Sequence, residues 1–277
     1  MRLSISNIAW DISEDKEISN ILLSNKIDAI DIAPGKYFAD PVSTSDVDIL
    51  KIKQWWSSRG IEITGMQALL FGRPELNIFS PIDIQQVMLD YLTEICRIGA
   101  VLGATRLVFG SPKNRNRGNL NNDQALDIAI PFFYHLGEIA KTYGVIICLE
   151  PNPKYYGSNF MMTHTETAKV VQSIGHPAIR MQLDTGALAI NNENIDEIFT
   201  ISNQLIGHIH ASEPDLLPLG ESGVDHNQVY NTLSQYQYKS DNLICIEMVA
   251  TTNESHMISI ERSLSHTIKC YRRDRTA

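Results

Sequence analysis

Long apolar runs are missing from this 277-residue chain. None approaches the roughly 18–20 residues a helix needs to cross a bilayer, so no membrane partner is expected. Basic charge is also scarce: 23 Lys and Arg stand against 32 Asp and Glu, a formal net charge of −9. Phosphate backbones are held by clustered Lys and Arg, so no nucleic-acid partner is expected either. Two basic clusters stand out. Lys113-Asn114-Arg115-Asn116-Arg117 could touch an anion, and the tail Arg272-Arg273-Asp274-Arg275 reads as a solvated terminus. Cysteine is limited to Cys96, Cys148, Cys245 and Cys270, without a CxxC pair. Cys148 and Cys245 lie inside apolar runs, the usual place of small buried thiols. A disulfide framework is thereby excluded and a reducing, cytoplasmic setting expected. The opening MRLSISNIAWD is broken by Ser and Asn and has no signal-peptide core. A Walker loop, a dinucleotide fingerprint and a GxSxG elbow are all lacking; Gly110-Ser111-Pro112 is none of these.

What the chain has is alternation. Hydrophobic residues make up 43% of it, ample for one core. Short apolar runs predict strands at 3–9, 29–33, 62–69, 106–110, 145–150, 179–184, 206–210 and 243–248. Helical patterns lie between them. Ser45 opens one running to about Ser58, and Ser80-Pro81 opens another, with Pro suited to the first turn. Further helices are expected near 123–143, 165–173, 195–203, 227–235 and 256–271. Strand–helix alternation repeated about eight times reads as a single (β/α)8 TIM barrel, one domain over 1–277. The alternative is a doubly wound open sheet, whose ligand site would sit at one switch point.

Four of the runs end in a potential metal ligand: Glu150 in VIICLEPNP, Asp184 in IRMQLDTGA, His210 in IGHIHASEP and Glu247 in LICIEMVAT. In a closed parallel barrel these ends share one rim, which favours closure. Three carboxylates and one imidazole make a hard, anionic cage for one divalent cation, Mn²⁺ first, with Mg²⁺, Co²⁺ or Zn²⁺ as alternatives. The cage would keep a charge of about −1 and suit a neutral, hydroxyl-bearing ligand. His208 and Gln182 stand two residues before His210 and Asp184, on the same strand faces. His208 reads as a packed histidine or a substrate contact, and Gln182 as a residue that orients the site or binds a hydroxyl. Asn152, just past Glu150, is a candidate hydroxyl contact. Trp10, Phe38 and Phe71 follow the first three strands and could wall the rim against sugar carbons. Lys36 could bind an anionic group, and Glu213 reads as a loop residue facing solvent. Trp55 and Trp56 are expected on the barrel's outside or against a partner subunit, so a homo-oligomer is left open.

At these residues the chain resembles the xylose isomerase-like TIM-barrel superfamily, in particular its sugar-phosphate isomerase/epimerase branch. LEPNP, LDTGA, HIHASEP and IEM carry the resemblance at the ligands; MQALLFG at 66–72, VFGSPKNR at 108–115 and the Gly220-Glu221-Ser222-Gly223 loop add to it. It implies a sugar or sugar-like substrate, phosphorylated or not. It also implies proton transfer next to a carbonyl by Glu150 and Glu247, with a metal-stabilised enediolate and Asp184 and His210 as further anchors. Two departures stand out. Ala187 takes the place of a His three residues after the aspartate, and the stretch to Leu216 carries no Arg after the histidine. Lys113 or Arg115 is the expected substitute for that positive charge. A keto-inositol dehydratase-type lyase on the same site is one alternative, and a non-catalytic barrel binding a carbohydrate or metal is another. The endonuclease branch of the superfamily, with three metals and more histidines, is disfavoured by Met66-Gln67-Ala68, Ala187 and the acidic charge.

Overall fold

Arg2 stands opposite Leu243 and Ile5 opposite Ile246, and this parallel pairing of β1 (Arg2–Ser6) with β8 (Leu243–Glu247) closes the sheet. In this computed structural model, which describes residues 1–238 and 243–272, the sheet is a closed barrel in strict sequence order. Between the closing strands lie β2 (Ala29–Ile32), β3 (Glu62–Met66), β4 (Arg106–Phe109), β5 (Ile146–Leu149), β6 (Ile179–Asp184) and β7 (Ile206–Ser212). All neighbours pair in parallel, so the open-sheet alternative is excluded. The crossovers carry α1 (Asp15–Ser24), α2 (Asp46–Ser57), α3 (Ile82–Leu102), α4 (Asn122–Thr142), α5 (His164–Ile174), α6 (Thr185–Asn191), α7 (Ile195–Ser202), α8 (His226–Gln235) and α9 (His256–Tyr271).

The local chemistry explains the boundaries. Ser45 caps α2 by accepting from Asp48 N, and Asn121 and Gln124 form a reciprocal capping box at α4. Gly103 ends α3 at φ 89°, a left-handed turn that costs glycine nothing. The expected strand at 206–210 runs on to Ser212, because Ala211 and Ser212 are small and pair with Ile246 and Glu247. Two helices lie outside the expected pattern. Helix α1 follows a capping box between Asp11 and Glu14, and α6 starts directly on Asp184 with no intervening turn.

Outside the barrel, Trp56 of α2 packs edge-on against Trp10, ring centroids 6.4 Å apart, and Phe133 of α4 meets Phe109 at 5.3 Å. All four cysteines are buried and free, as expected. Arg272 is not a solvated tail residue: it donates to the carbonyls of Asn25 (2.9 Å) and Lys26 (2.7 Å) beyond α1. Arg273, Asp274 and Arg275 lie outside the described residues. Among the described residues no helix is long and apolar enough to cross a membrane.

Candidate metal centre

The register of β6, β7 and β8 decides which side chains meet. Asp184 stands opposite His210, and Glu247 stands opposite Ser212, one step nearer the rim than His210. Alternation then turns Asp184, His210 and Glu247 into the barrel mouth, where Glu150, just past β5, joins them. All four are buried, and their ligand-type atoms lie within 4.8 Å of one another. His210 Nδ1 is 3.1 Å from both Glu150 Oε1 and Glu247 Oε2.

Neighbours hold each ligand. Ser212 Oγ donates to Asp184 Oδ2 (2.6 Å), while Asp184 Oδ1 accepts from Ala187 N (2.6 Å) and so caps α6. Gln67 Nε2 donates to Glu247 Oε1 at 2.6 Å. Arg115 Nη1 donates to the Glu150 carbonyl (2.6 Å) and Nη2 to the Gly110 carbonyl (3.2 Å). Gly110 is required by space: a Cβ there would fall on Glu150 Oε2. Ligands seated by hydrogen bonds of this kind keep their aim when a cation arrives.

Charge is out of balance in this cluster. Burial, with Glu247 and Glu150 close by, pushes the Asp184 carboxyl well above the usual carboxylate range. Burial alone would lower the His210 pKa, but the Glu247 and Glu150 carboxylates outweigh it and hold it well above its ordinary value. Burial acts to raise Glu247 too, and His210 and Gln67 overcome that, so its pKa is lowered. Three acids and one imidazole buried together are thus short of positive charge. The donor set fits a hard divalent cation, which would relieve the same imbalance without protons.

Several expected contacts lie elsewhere. His208 is packed beside His210 without lining either mouth chamber and bonds Asp31, Nε2 to Oδ2 at 2.7 Å, with both side chains buried, the packed reading of this residue. Trp10 is fully buried, its Nε1 donating to Asp15 (2.8 Å), and it does not line the pocket. Lys113 is exposed outside the pocket, and Arg115 is fully buried against backbone carbonyls and lines neither chamber, its positive charge acting on Glu150 from behind. Lys36 Nζ is turned to the carbonyls of Asn7 and Trp10. Gln182 spans the His208 carbonyl (3.3 Å) and the His210 N–H (3.1 Å), fixing β7 rather than reaching a ligand. Glu213 is buried, contrary to the expectation of a solvent-facing residue. It gathers the loop after β7, accepting from Gly220 N (2.7 Å), Ser222 N (3.1 Å) and the Ser222 hydroxyl.

Asp31, Gln67, Gly110 and Tyr156 are site residues that sequence reasoning missed. A lone acid inside AIDIA was the available signal for Asp31, and the rim position of Gln67 after β3 was the signal for it. A second cluster, Asp31, His208, His210 and Cys245, lies beside the first. Asp31 and His208 already satisfy each other there. Burial, then Asp31, drives the Cys245 thiol pKa well up, so it stays protonated and is a poor ligand.

Above the four ligands the mouth divides into two chambers of about 380 and 350 Å³ that share Glu150, Glu247 and Leu216. Phe71 lines the first; Asn152, whose Nδ2 donates to the Gly110 carbonyl (2.9 Å), lines the second, with Ala187.

The fold and site can be set beside known proteins. A D-psicose 3-epimerase from Clostridium cellulolyticum, solved with D-tagatose, superposes with a TM-score of 0.80 at 17% identity, covering 98% of this chain and 99% of that one. A 3-keto-D-glucoside 4-epimerase from E. coli gives 0.78 at 16%, covering 98% and 100%. A D-allulose 3-epimerase from Methylomonas sp., in complex with D-allulose, gives 0.75 at 15%, covering 98% and 97%. At these identities the likeness is one of fold. A family model described as xylose isomerase-like TIM barrel matches residues 21–273, which span all the strands but β1 and all four clustered ligands. On that match the chain belongs to the xylose isomerase-like TIM-barrel family.

Proposed function

We propose that the protein is a divalent-metal-dependent sugar isomerase or epimerase that moves a proton at the carbon next to a carbonyl. The observation that carries this reading is the placement of Glu150 and Glu247. Each faces both chambers, and each lies 3.1 Å from the same nitrogen of His210. A substrate carbon seated between them would have a carboxylate on either side. An α-proton is a weak acid, so its removal needs a positioned base and charge stabilisation on the adjacent oxygen. Glu150, Asp184, His210 and Glu247 would hold the cation, which supplies positive charge to the substrate oxygens when bound.

The chain's own groups do the rest. One glutamate takes the proton, and the other returns one to the opposite face for epimerisation or to the neighbouring carbon for isomerisation. Gln67 keeps Glu247 aimed, and Arg115 keeps the end of β5 in place beneath Glu150. The structural relatives that act on psicose, allulose and keto-glucosides support a ketosugar as the substrate class. The test is proton exchange. Protein loaded with Mn²⁺ and offered a panel of ketoses in deuterated water should place deuterium on carbon. Glu150→Gln and Glu247→Gln should each lower the rate at least a hundredfold. A panel wholly without carbon-bound deuterium would overturn the reading.

A further inference from the structure

We propose, resting on the ketosugar reading, that the substrate is an unphosphorylated sugar with one hydroxyl-rich arm and one deoxy or alkyl-bearing arm. The two chambers that meet at Glu150, Glu247 and Leu216 differ in chemistry. The second offers hydrogen-bonding groups: Tyr156, Asp215 and Asn152, whose Oδ1 is buried without a partner. The first is walled by Ile8, Leu69, Phe71, Val108, Phe109 and Val249. Its neutral polar side chains are Ser111 and Gln67, whose Nε2 donates to Glu247 and whose Oε1 is buried without a partner at the base of the chamber. Phe71 is 84% exposed at the mouth of this chamber, an apolar face that a ligand would cover.

Leu216 is the apolar residue common to both chambers. Asp215 and Leu216 hold φ of 59° and 53°, a left-handed pair that residues with a side chain rarely adopt. The Leu216 carbonyl accepts from Val249 N (3.0 Å), which ties this turn to the end of β8. The backbone that carries this apolar side chain is thereby held where Leu216 lines both chambers, as Glu150 and Glu247 do.

Phosphate finds no match. Neither Lys nor Arg lines either chamber, while Glu150, Asp184, Asp215 and Glu247 do. Three carboxylates offset a bound divalent ion together with the buried Arg115 guanidinium, so a phosphate dianion meets no net attraction. Beyond Gln67 and Ser111, a hydroxyl laid along the Phe71 and Val249 wall of the first chamber loses its water partners without replacement, whereas a methyl group gains burial. The reacting carbons sit at the shared carboxylates, the polar arm lies toward Asn152 and Tyr156, and the bare arm lies along Phe71 and Val249.

Binding and turnover can be tested separately on the full-length, Mn²⁺-loaded protein. Calorimetric titration would use D-fructose, D-psicose and D-tagatose with their 1-deoxy, 6-deoxy, 1-phosphate and 6-phosphate forms. A deoxy form is expected to bind about tenfold or more tightly than its parent, and every phosphate more weakly than the parent. Phe71→Ser and Val249→Ser should erase the deoxy advantage. A phosphate ester bound as tightly as the deoxy sugars, parents preferred to both deoxy forms, or no binding by any deoxy sugar overturns the proposal. Deuterium exchange reports on the reaction and calorimetry on the chambers. A deoxy preference without exchange would remove the isomerase reading alone, and exchange without the preference would remove this proposal alone.

Discussion

Gly110 shows how a single residue decides whether the site can exist. Glu150 Oε2 occupies the place a Cβ at position 110 would take. The φ of Gly110 is not in the left-handed region, so alanine is tolerable for the backbone and intolerable for the carboxylate. Gly110→Ala is therefore expected to keep the fold and weaken Mn²⁺ binding about ten- to a hundredfold, as displaced ligand support does. Titration calorimetry beside a thermal melt checks it; unchanged affinity in the folded variant would count against Glu150 as a ligand. The meeting of Glu150, Asp184, His210 and Glu247 was legible, since one acid at a strand end has ordinary structural uses but four aligned on successive strands converge on one rim. Gly110 and Gln67 were not, because their role lies in contacts with Glu150 and Glu247 far along the chain. Trp10 misled for the opposite reason. Its position after β1 is right for the rim, but its indole turns outward to Trp56 and Asp15.

At the scale of the element, β7 and the loop after it carry the largest surprise. The strand gains Ser212, which clamps Asp184, and the chain then buries Glu213. That carboxylate gathers the amides of Gly220 and Ser222 and lies 3.4 Å from His226 Nε2, with Gly220 free to hold its φ of 96°. Burial alone would raise the Glu213 pKa; His226 and the Gly220 amide overcome it and lower the value. A carboxyl lowered in the fold adds stability above its ordinary pKa and loses it as pH falls through the folded value. Wild type should therefore lose melting temperature as pH drops below about 4.3, while Glu213→Gln is less stable at neutral pH and flatter through that window. Parallel curves for the two proteins would refute the role of the ionised carboxylate. The sequence concealed this loop because Glu213 follows His210 in a stretch that reads as polar surface. Helix α6 was hidden because it starts on the candidate ligand Asp184 itself, where a turn is the natural expectation. Helix α4, by contrast, was legible and runs through Pro131, since its capping box and its buried face of Phe132, Phe133 and Leu136 outweigh one missing backbone donor.

For the molecule as a whole, the four ligands come from β5, β6, β7 and β8, so a bound cation would tie half the barrel together. Ligand that binds only the folded state adds about 2.7 kcal/mol at a hundred times its dissociation constant. Mn²⁺ at that excess should raise the melting temperature by about 5 °C or more, and a chelator should reverse it. Scanning calorimetry over a Mn²⁺ series checks this, and an unmoved transition would remove the shared cation from the account. The sequence by itself determined the barrel and which four residues cluster at its mouth, because strand and helix periods and the residues at strand ends are local properties written in order along the chain. It did not determine which way Trp10 and Arg115 point, that Asp31 answers the packed His208, or that Leu216 lines two chambers of different chemistry. Those were settled only when β1 met β8, since closure sets the tilt and register that bring distant side chains to one mouth and turn others away from it.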